Sequence, residues 1–345
     1  MLVLKDILVD LLENGRYKED RTKVGRYSVY GKQASFNLLD SFPAITLRKL
    51  PFKTAVKELL WFISGSSDNS VLVEQGINYW TPFAEHTTNS VGPMYGSQLR
   101  TNYTVHHVDG RQVITKRDLL LEAIYNLKHR PNASDNVYTL WNPSTKPDYN
   151  LDYATNVKAG KGALALCHGT VVQLHVVDLN KTELQLVNRS KEVIDKALDR
   201  LDLKGAIKAR LAVEADIATI IKLLKAKQID PNFYFHTKGL ILQHYQRSQD
   251  VLALGFNIAQ YALLTRLLAR ATGLVPLQYI HQWGDLHYYS NQLDSLKTLV
   301  TREPLDIKPK LLINTDNKDI DKYHHNDFSL VNYQHHPDLE FKLNS

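Results

Sequence analysis

A chain of 345 residues with a single cysteine has no internal disulfide to hold it, so an apolar core must carry its fold. The means are present, since 43% of the residues are hydrophobic and 18 are tyrosine, which excludes global disorder. The cysteine itself, Cys167, lies in Leu164-Ala-Leu-Cys-His168, just ahead of the apolar run Val171-Val-Gln-Leu-His-Val-Val177. Taken alone it reads as a small core residue, because free cysteine is among the most buried residue types; the other reading is a nucleophile.

Other classes drop out early. The N-terminal stretch is apolar but carries Lys5, Asp6 and Asp10, which break a signal-peptide core, while Leu4, Ile7, Leu8 and Leu11 share one helical face. No uninterrupted apolar run reaches the roughly 18 residues of a membrane span, so a cytoplasmic protein with no membrane partner is expected. The net charge of +6 suits an anionic small molecule. Basic residues are scattered rather than striped with aromatics, so nucleic acid is not expected as the main partner. His106-His107, His324-His325 and His335-His336 are adjacent pairs, and neighbours rarely point at one metal, so no metal role is expected.

Periodicity predicts a helix ending near Gly15 and two strands, Arg26–Tyr30 and Gln33–Asn37, about a Gly31-Lys32 turn. It predicts further helices over Thr54–Ile63, Asp118–Leu127 and Ile258–Thr272, the last ended by Gly273. Strand candidates are Val137–Trp141, Leu164–Val177 and Leu240–Gln246. The charged stretch Ser190–Gln228 reads as a helical hairpin with a break at Gly205.

Eight short motifs occur in a telling order: Asp20-Arg-Thr22, Phe42-Pro43, Glu58-Leu-Leu-Trp-Phe62, Gly92-Pro-Met-Tyr-Gly96, Trp141-Asn142, Cys167-His168, Tyr245-Gln-Arg-Ser-Gln-Asp250 with Gly255-Phe-Asn257, and Gly284-Asp-Leu-His-Tyr-Tyr-Ser-Asn291. This order resembles the thymidylate synthase family over residues 1–177 and 240–345. The resemblance implies an α/β (α+β) fold, one domain over 1–345 with a twisted, mostly antiparallel sheet, packed helices and a helical insertion at 178–239. It also implies a homodimer with its sheets back to back.

The chemistry implied is folate-dependent one-carbon transfer from 5,10-methylenetetrahydrofolate to C5 of dUMP. Cys167 would attack C6, which needs a thiolate and hence a nearby cation. The resemblance makes that cation Arg247, also a phosphate ligand with Ser248 and Arg21. Glu58 would relay protons near O4, with Tyr95 and His168 completing its water network. Asn257 would face the base, where its amide offers a donor and an acceptor to uracil; members acting on cytosine carry Asp there. His287 and Tyr289 would hold the sugar hydroxyl, Asp250 the pterin, and Trp80, Leu164 and Phe256 the apolar wall of the folate site.

Two departures matter. Consecutive arginines that the family lends to its partner's phosphate site fall here on Ser134-Asp135, so phosphate binding would be weaker, rebuilt from Lys128, Arg130 or the insertion, or aimed at an altered substrate. The apolar tail that seals the folate is polar here, ending Asn344-Ser345, and Phe83 replaces a larger indole. A site open to water would favour a hydroxymethyl over a methyl product, as in the hydroxymethylases of DNA-modifying phages. Deoxyuridylate hydroxymethylase is therefore the leading expectation and thymidylate synthase the alternative. Rival classes are a cysteine hydrolase, whose signature is missing around Cys167, and a non-catalytic nucleotide or RNA binder.

Overall fold

The computed structural model describes residues 2–19, 23–187, 238–339 and 341–342. Its centre is a helix buried on nearly every side, Leu254–Thr272, which we number α7. By length and composition such a helix could cross a membrane, but 83% of its apolar window is buried within the protein. Leu263, Leu264, Leu267 and Leu268 all lie inside, each contributing about 1.5–3 kcal/mol of burial.

Around α7 the described helices follow in chain order: α1 (Leu2–Asn14), α2 (Phe52–Ile63), the short α3 (Ser70–Val73), α4 (Tyr95–Arg100), α5 (Leu119–His129), α6 (Tyr153–Lys158) and, after α7, α8 (Leu293–Thr301). In α1 the buried residues are Leu4, Ile7, Leu8 and Leu11, the face that the spacing predicts. Asp118 caps α5, accepting from the Leu121 N–H at 2.9 Å, and the helix stops before Pro131.

The described strands are β1 (Arg16–Lys18), β2 (Arg26–Asn37), a β3–β4 hairpin (Asn102–Val108, Arg111–Arg117), β5 (Val137–Tyr138), β6 (Val171–Asp178), β7 (Lys238–Gln246), β8 (Gln249–Asp250), β9 (Val275–Tyr289), and the pair β10 (Lys310–Ile313) and β11 (Phe328–Val331). Seven of them form one sheet in the order β1-β2-β9-β7-β6-β5, with β8 also on β9. All pairs are antiparallel except β7 and β8 against β9. The fold is thus mixed α/β with a mostly antiparallel sheet; α7 packs on β7 and β9 and α1 on β2, while α2, expected on the sheet, lies mainly on α7 and α4.

Several boundaries differ from expectation. Gly31 does not make a turn: β2 runs unbroken from Arg26 to Asn37, and Gly31 takes a positive φ of 63° within it. Of Val137–Trp141 only the first two residues are strand, and Leu164–Thr170 is a loop leading into β6. The longest strand, β9, has no counterpart in the periodicity because Gln, His, Gly and Asp interrupt its apolar alternation. Asp178 pairs with Lys238 at the tip of the β6–β7 pair. There Leu179 and Val187 pack on Val275 and Leu277 at the start of β9. The helical hairpin expected over Ser190–Gln228 lies outside the described residues.

Candidate active site

The Cys167 loop, the β7–β8 turn, the first turn of α7 and the end of β9 surround a cavity of about 740 Å³. Lys18, Arg26, Cys167, Arg247, Asn257 and His287 are among the residues on its wall.

Cys167 is fixed by its backbone. Its N–H donates to the Tyr95 hydroxyl at 3.0 Å, and its carbonyl accepts from the Ser248 N–H at 3.4 Å. Gly169, at φ 64°, turns the chain into β6, and a Cβ there would sit 2.7 Å from the Tyr261 hydroxyl. The Arg247 guanidinium lies over the Trp141 ring, donates Nε–H to the Leu166 carbonyl at 3.0 Å, and brings Nη2 to 3.7 Å from the Cys167 Sγ. Burial pushes the Cys167 thiol up, while Arg247 and then Arg26 pull it down. In the free protein burial outweighs both cations, though Arg247 acts in the direction expected of it. Cys167 is half-buried by exposed area, so the direction reflects its depth among packed atoms.

His168 is no partner for the thiol. Its ring stacks on Tyr95 at 4.0 Å and its Nδ1 faces the Tyr261 hydroxyl at 3.0 Å. Burial pushes its pKa down to about 3, so it is a neutral imidazole. No described histidine bonds Cys167, so the geometry contains no Cys–His pair of the hydrolase type.

Glu58 lies buried on α2, and its carboxyl group is enclosed by donors. Oε1 accepts from the Trp80 indole at 2.6 Å and the Tyr79 hydroxyl at 2.9 Å, and Oε2 from the Gln260 amide at 2.7 Å. Burial still raises its pKa against these three bonds. Gln260 joins Glu58 to Asn257, whose Nδ2 donates to the Gln260 Oε1 at 3.1 Å. The Asn257 Oδ1 takes Gln246 at 3.2 Å and Gln249 at 2.9 Å, filling both lone pairs. One Asn257 N–H is left over. The expectation that donor and acceptor both face the base is therefore revised: the free group is a donor, which fits a carbonyl at C4 and opposes an amine.

The remaining expected residues divide. Ser248, His287 and Tyr289 line the cavity with Leu164 and Asp250. Asp250 is already engaged, accepting from the Leu252 N–H at 2.8 Å and the Gln292 amide at 3.0 Å, and burial raises its pKa. Trp80 and Phe256 are not on the wall: Trp80 is spent on Glu58, and Phe83, Tyr149 and Leu252 supply the apolar surface. Arg21 lies outside the described residues. At the expected arginine pair, Arg130 donates to both oxygens of Asp135, at 3.0 and 2.9 Å.

Sequence reasoning missed Gln249, Gln260, Arg26 and Asp285. Gln249 and Asp285 sit inside motifs already named, and Arg26 ends Lys23-Val-Gly-Arg26, where the family loop that Asp20-Arg-Thr22 resembles continues with alternating glycine and threonine. Among the described residues no three His, Cys, Asp or Glu side chains group as metal ligands.

The thymidylate synthase family model matches residues 3–195 and 214–345. The chain belongs to the thymidylate synthase family. Its substrates are accordingly dUMP and methylenetetrahydrofolate, and it is a pyrimidine C5 one-carbon transferase. The stretch that the match skips, 196–213, falls inside the expected insertion.

Proposed function

We propose that this member of the family is a deoxyuridylate hydroxymethylase, forming 5-hydroxymethyl-dUMP of the kind that DNA-modifying phages use. What carries the reading is the folate side of the cavity: Phe83 holds the wall position, braced edge-on by Tyr153 at 5.1 Å, where the family commonly has a larger indole.

The wall fits both substrates. Leu164, Phe83, Tyr149 and Leu252 present apolar area to a pterin, beside the Asp250 carboxyl group. Methylenetetrahydrofolate supplies the one-carbon unit when bound. Cys167 contributes a sulfur that bonds to C6, sending the C5–C6 π electrons toward O4, where the free Asn257 N–H can receive the charge. Arg247 favours the thiolate form, and Glu58 is the buried acid whose proton can reach O4 through ordered water. Once C5 carries an exocyclic methylene, a water oxygen adds to it and loses a proton. The electrons return through the enolate, the C5–C6 double bond reforms and Cys167 leaves.

We further propose that two copies meet through the outer sheet face. Val171, Ile241, Tyr245 and Ile280 lie there beside a ladder in which Gln243 donates to Gln282 at 3.2 Å and Gln282 to Gln33 at 2.9 Å. A two-fold axis can make such a face self-complementary. A monomeric mass by solution scattering at micromolar concentration would overturn this.

The product is tested by absorbance and mass. Hydroxymethyl transfer leaves tetrahydrofolate, whereas methyl transfer oxidises it to dihydrofolate, with a rise in the near ultraviolet. We expect no rise and a 5-hydroxymethyl product. Stoichiometric dihydrofolate with dTMP would make the protein a thymidylate synthase instead.

A further inference from the structure

The phosphate end of the site lacks the arginines that the family takes from a partner subunit. Ser134-Asp135 stands in their place, and the neighbouring Arg130 is committed to Asp135 through both carboxylate oxygens. Arg247 has only part of its fork to give a dianionic phosphate, because it already spends Nε on the Leu166 carbonyl and turns Nη2 toward Cys167.

A second arginine is available in the same chain. Arg26 opens β2, opposite Tyr289 on β9 and opposite Lys18 on β1. All three side chains line the cavity that holds Cys167, Arg247 and Ser248. The Arg26 Nη2 donates to the Asp285 Oδ2 at 2.9 Å, which fixes the guanidinium from one side. Its Nε is buried without a hydrogen-bond partner among the described residues. A buried, unmet donor of a permanent cation costs free energy unless an anion completes it. Asp285 is itself braced, because its other oxygen meets the His287 Nδ1 at 3.1 Å. Burial works against its charge, yet His287, Arg26 and Ser28 outweigh that and hold its carboxyl below the usual range.

Resting on the reading of dUMP as substrate, we propose that Arg26 is the phosphate-binding residue that replaces the partner's arginines. With Arg247, Ser248 and the adjacent Lys18 it makes a phosphate site supplied from within one subunit, and Asp285 positions it. The site would discriminate between a nucleoside monophosphate and a nucleoside by what Arg26 adds.

The test compares direct binding of dUMP, deoxyuridine and inorganic phosphate to the full chain and to Arg26→Met and Arg26→Lys, with folding checked by circular dichroism. Arg26→Met should weaken dUMP at least about tenfold, the loss expected for a charge-assisted hydrogen bond. Deoxyuridine affinity should move less than about twofold. Arg26→Lys, which keeps the charge and can keep the Asp285 pair but loses the fork, should fall between. A second measurement is the pH dependence of Cys167 alkylation. Inorganic phosphate should shift its midpoint upward in the parent chain and much less in Arg26→Met, because an anion held by Arg26 opposes the thiolate. Equal losses for dUMP and deoxyuridine would place Arg26 on the sugar and overturn the proposal, as would an unchanged phosphate effect on Cys167. Should the parent chain bind dUMP no better than deoxyuridine, the substrate reading fails. The alkylation measurement would then still decide whether Arg26 is an anion site.

Discussion

The two ends of the cavity are built on opposite principles. At the base end, Glu58, Gln260, Asn257, Gln246 and Gln249 form a buried chain of donors and acceptors linked at 2.7–3.2 Å, with Gln249 also accepting from the Trp283 indole. At the phosphate end, Lys18, Arg26, Asp285 and Arg247 meet as charges, some near water. A buried amide network is stiff because breaking any bond strands a polar group, so it can read the pattern of a ring edge. Partly solvated charges discriminate by charge and tolerate rearrangement. On the proposed reading, specificity for the base belongs to Asn257 and Gln260 on α7 with Gln246 and Gln249 flanking the β7–β8 turn, and specificity for the phosphate to the β1–β2 edge.

The harshest test of that division removes what both ends serve. Cys167→Ala should cost several orders of magnitude in turnover while leaving dUMP binding largely intact, since neither end depends on the sulfur. Near-normal activity in this variant would sink the mechanism.

Asn257→Asp sharpens the base end. The new carboxylate keeps the two glutamine donors on one oxygen but turns its second oxygen toward the Gln260 Oε1, and it no longer opposes an amine at C4. The ratio of kcat/KM for dCMP over dUMP should rise at least about tenfold, with lower activity overall, as expected when a site loses a hydrogen-bond donor matched to its substrate. An unchanged ratio would mean that the amide chain does not read the base.

The buried histidines behind the site supply an acid-sensitivity test. His168 titrates at about 3, and burial also holds His244 and His281 well below 6.5. The unfolded chain binds these protons first, so stability should be full above pH 6.5 and fall as pH drops from there toward 3. A histidine that stays neutral at pH 5 costs about 2 kcal/mol there relative to pH 7. Urea titrations at pH 7 and 5 measure it, and His168→Gln should flatten the slope if it folds as the parent does. Glu58 acts in its own window: its raised pKa makes stability fall as pH rises above the ordinary 4.5, a trend that Glu58→Gln should remove.

The smallest effect is expected at Arg130. Its pair with Asp135 is half-exposed at both partners, at 52% and 66%, and such pairs contribute under about 1 kcal/mol. Arg130→Ala should leave dUMP affinity within about twofold. A tenfold loss would move the phosphate contact back to this position and break the contrast drawn above.

Much of this was legible without the structure. Composition required a core, periodicity placed α1, α2, α5 and α7 to within a few residues, and the ordered motifs brought Cys167, Arg247, Ser248 and Asn257 to one cavity. These signals are local: a helix's spacing and a motif's chemistry survive in one dimension. Strand β9 and the unbroken β2 were not legible, because a strand's pattern depends on what its two faces meet. The roles of Trp80 and Asn257 changed for the same reason. Whether an indole packs on a ligand or donates to Glu58, and whether an amide oxygen is free, is decided by side chains that only the folded chain brings together, as it brings Gln260 to Glu58. Arg26 shows the division most plainly. The sequence by itself determined that a cation stands where the family motif departs. Only the tertiary structure, pairing β2 with β9 and setting Asp285 beside it, decided that this cation faces the cavity with a buried donor to fill.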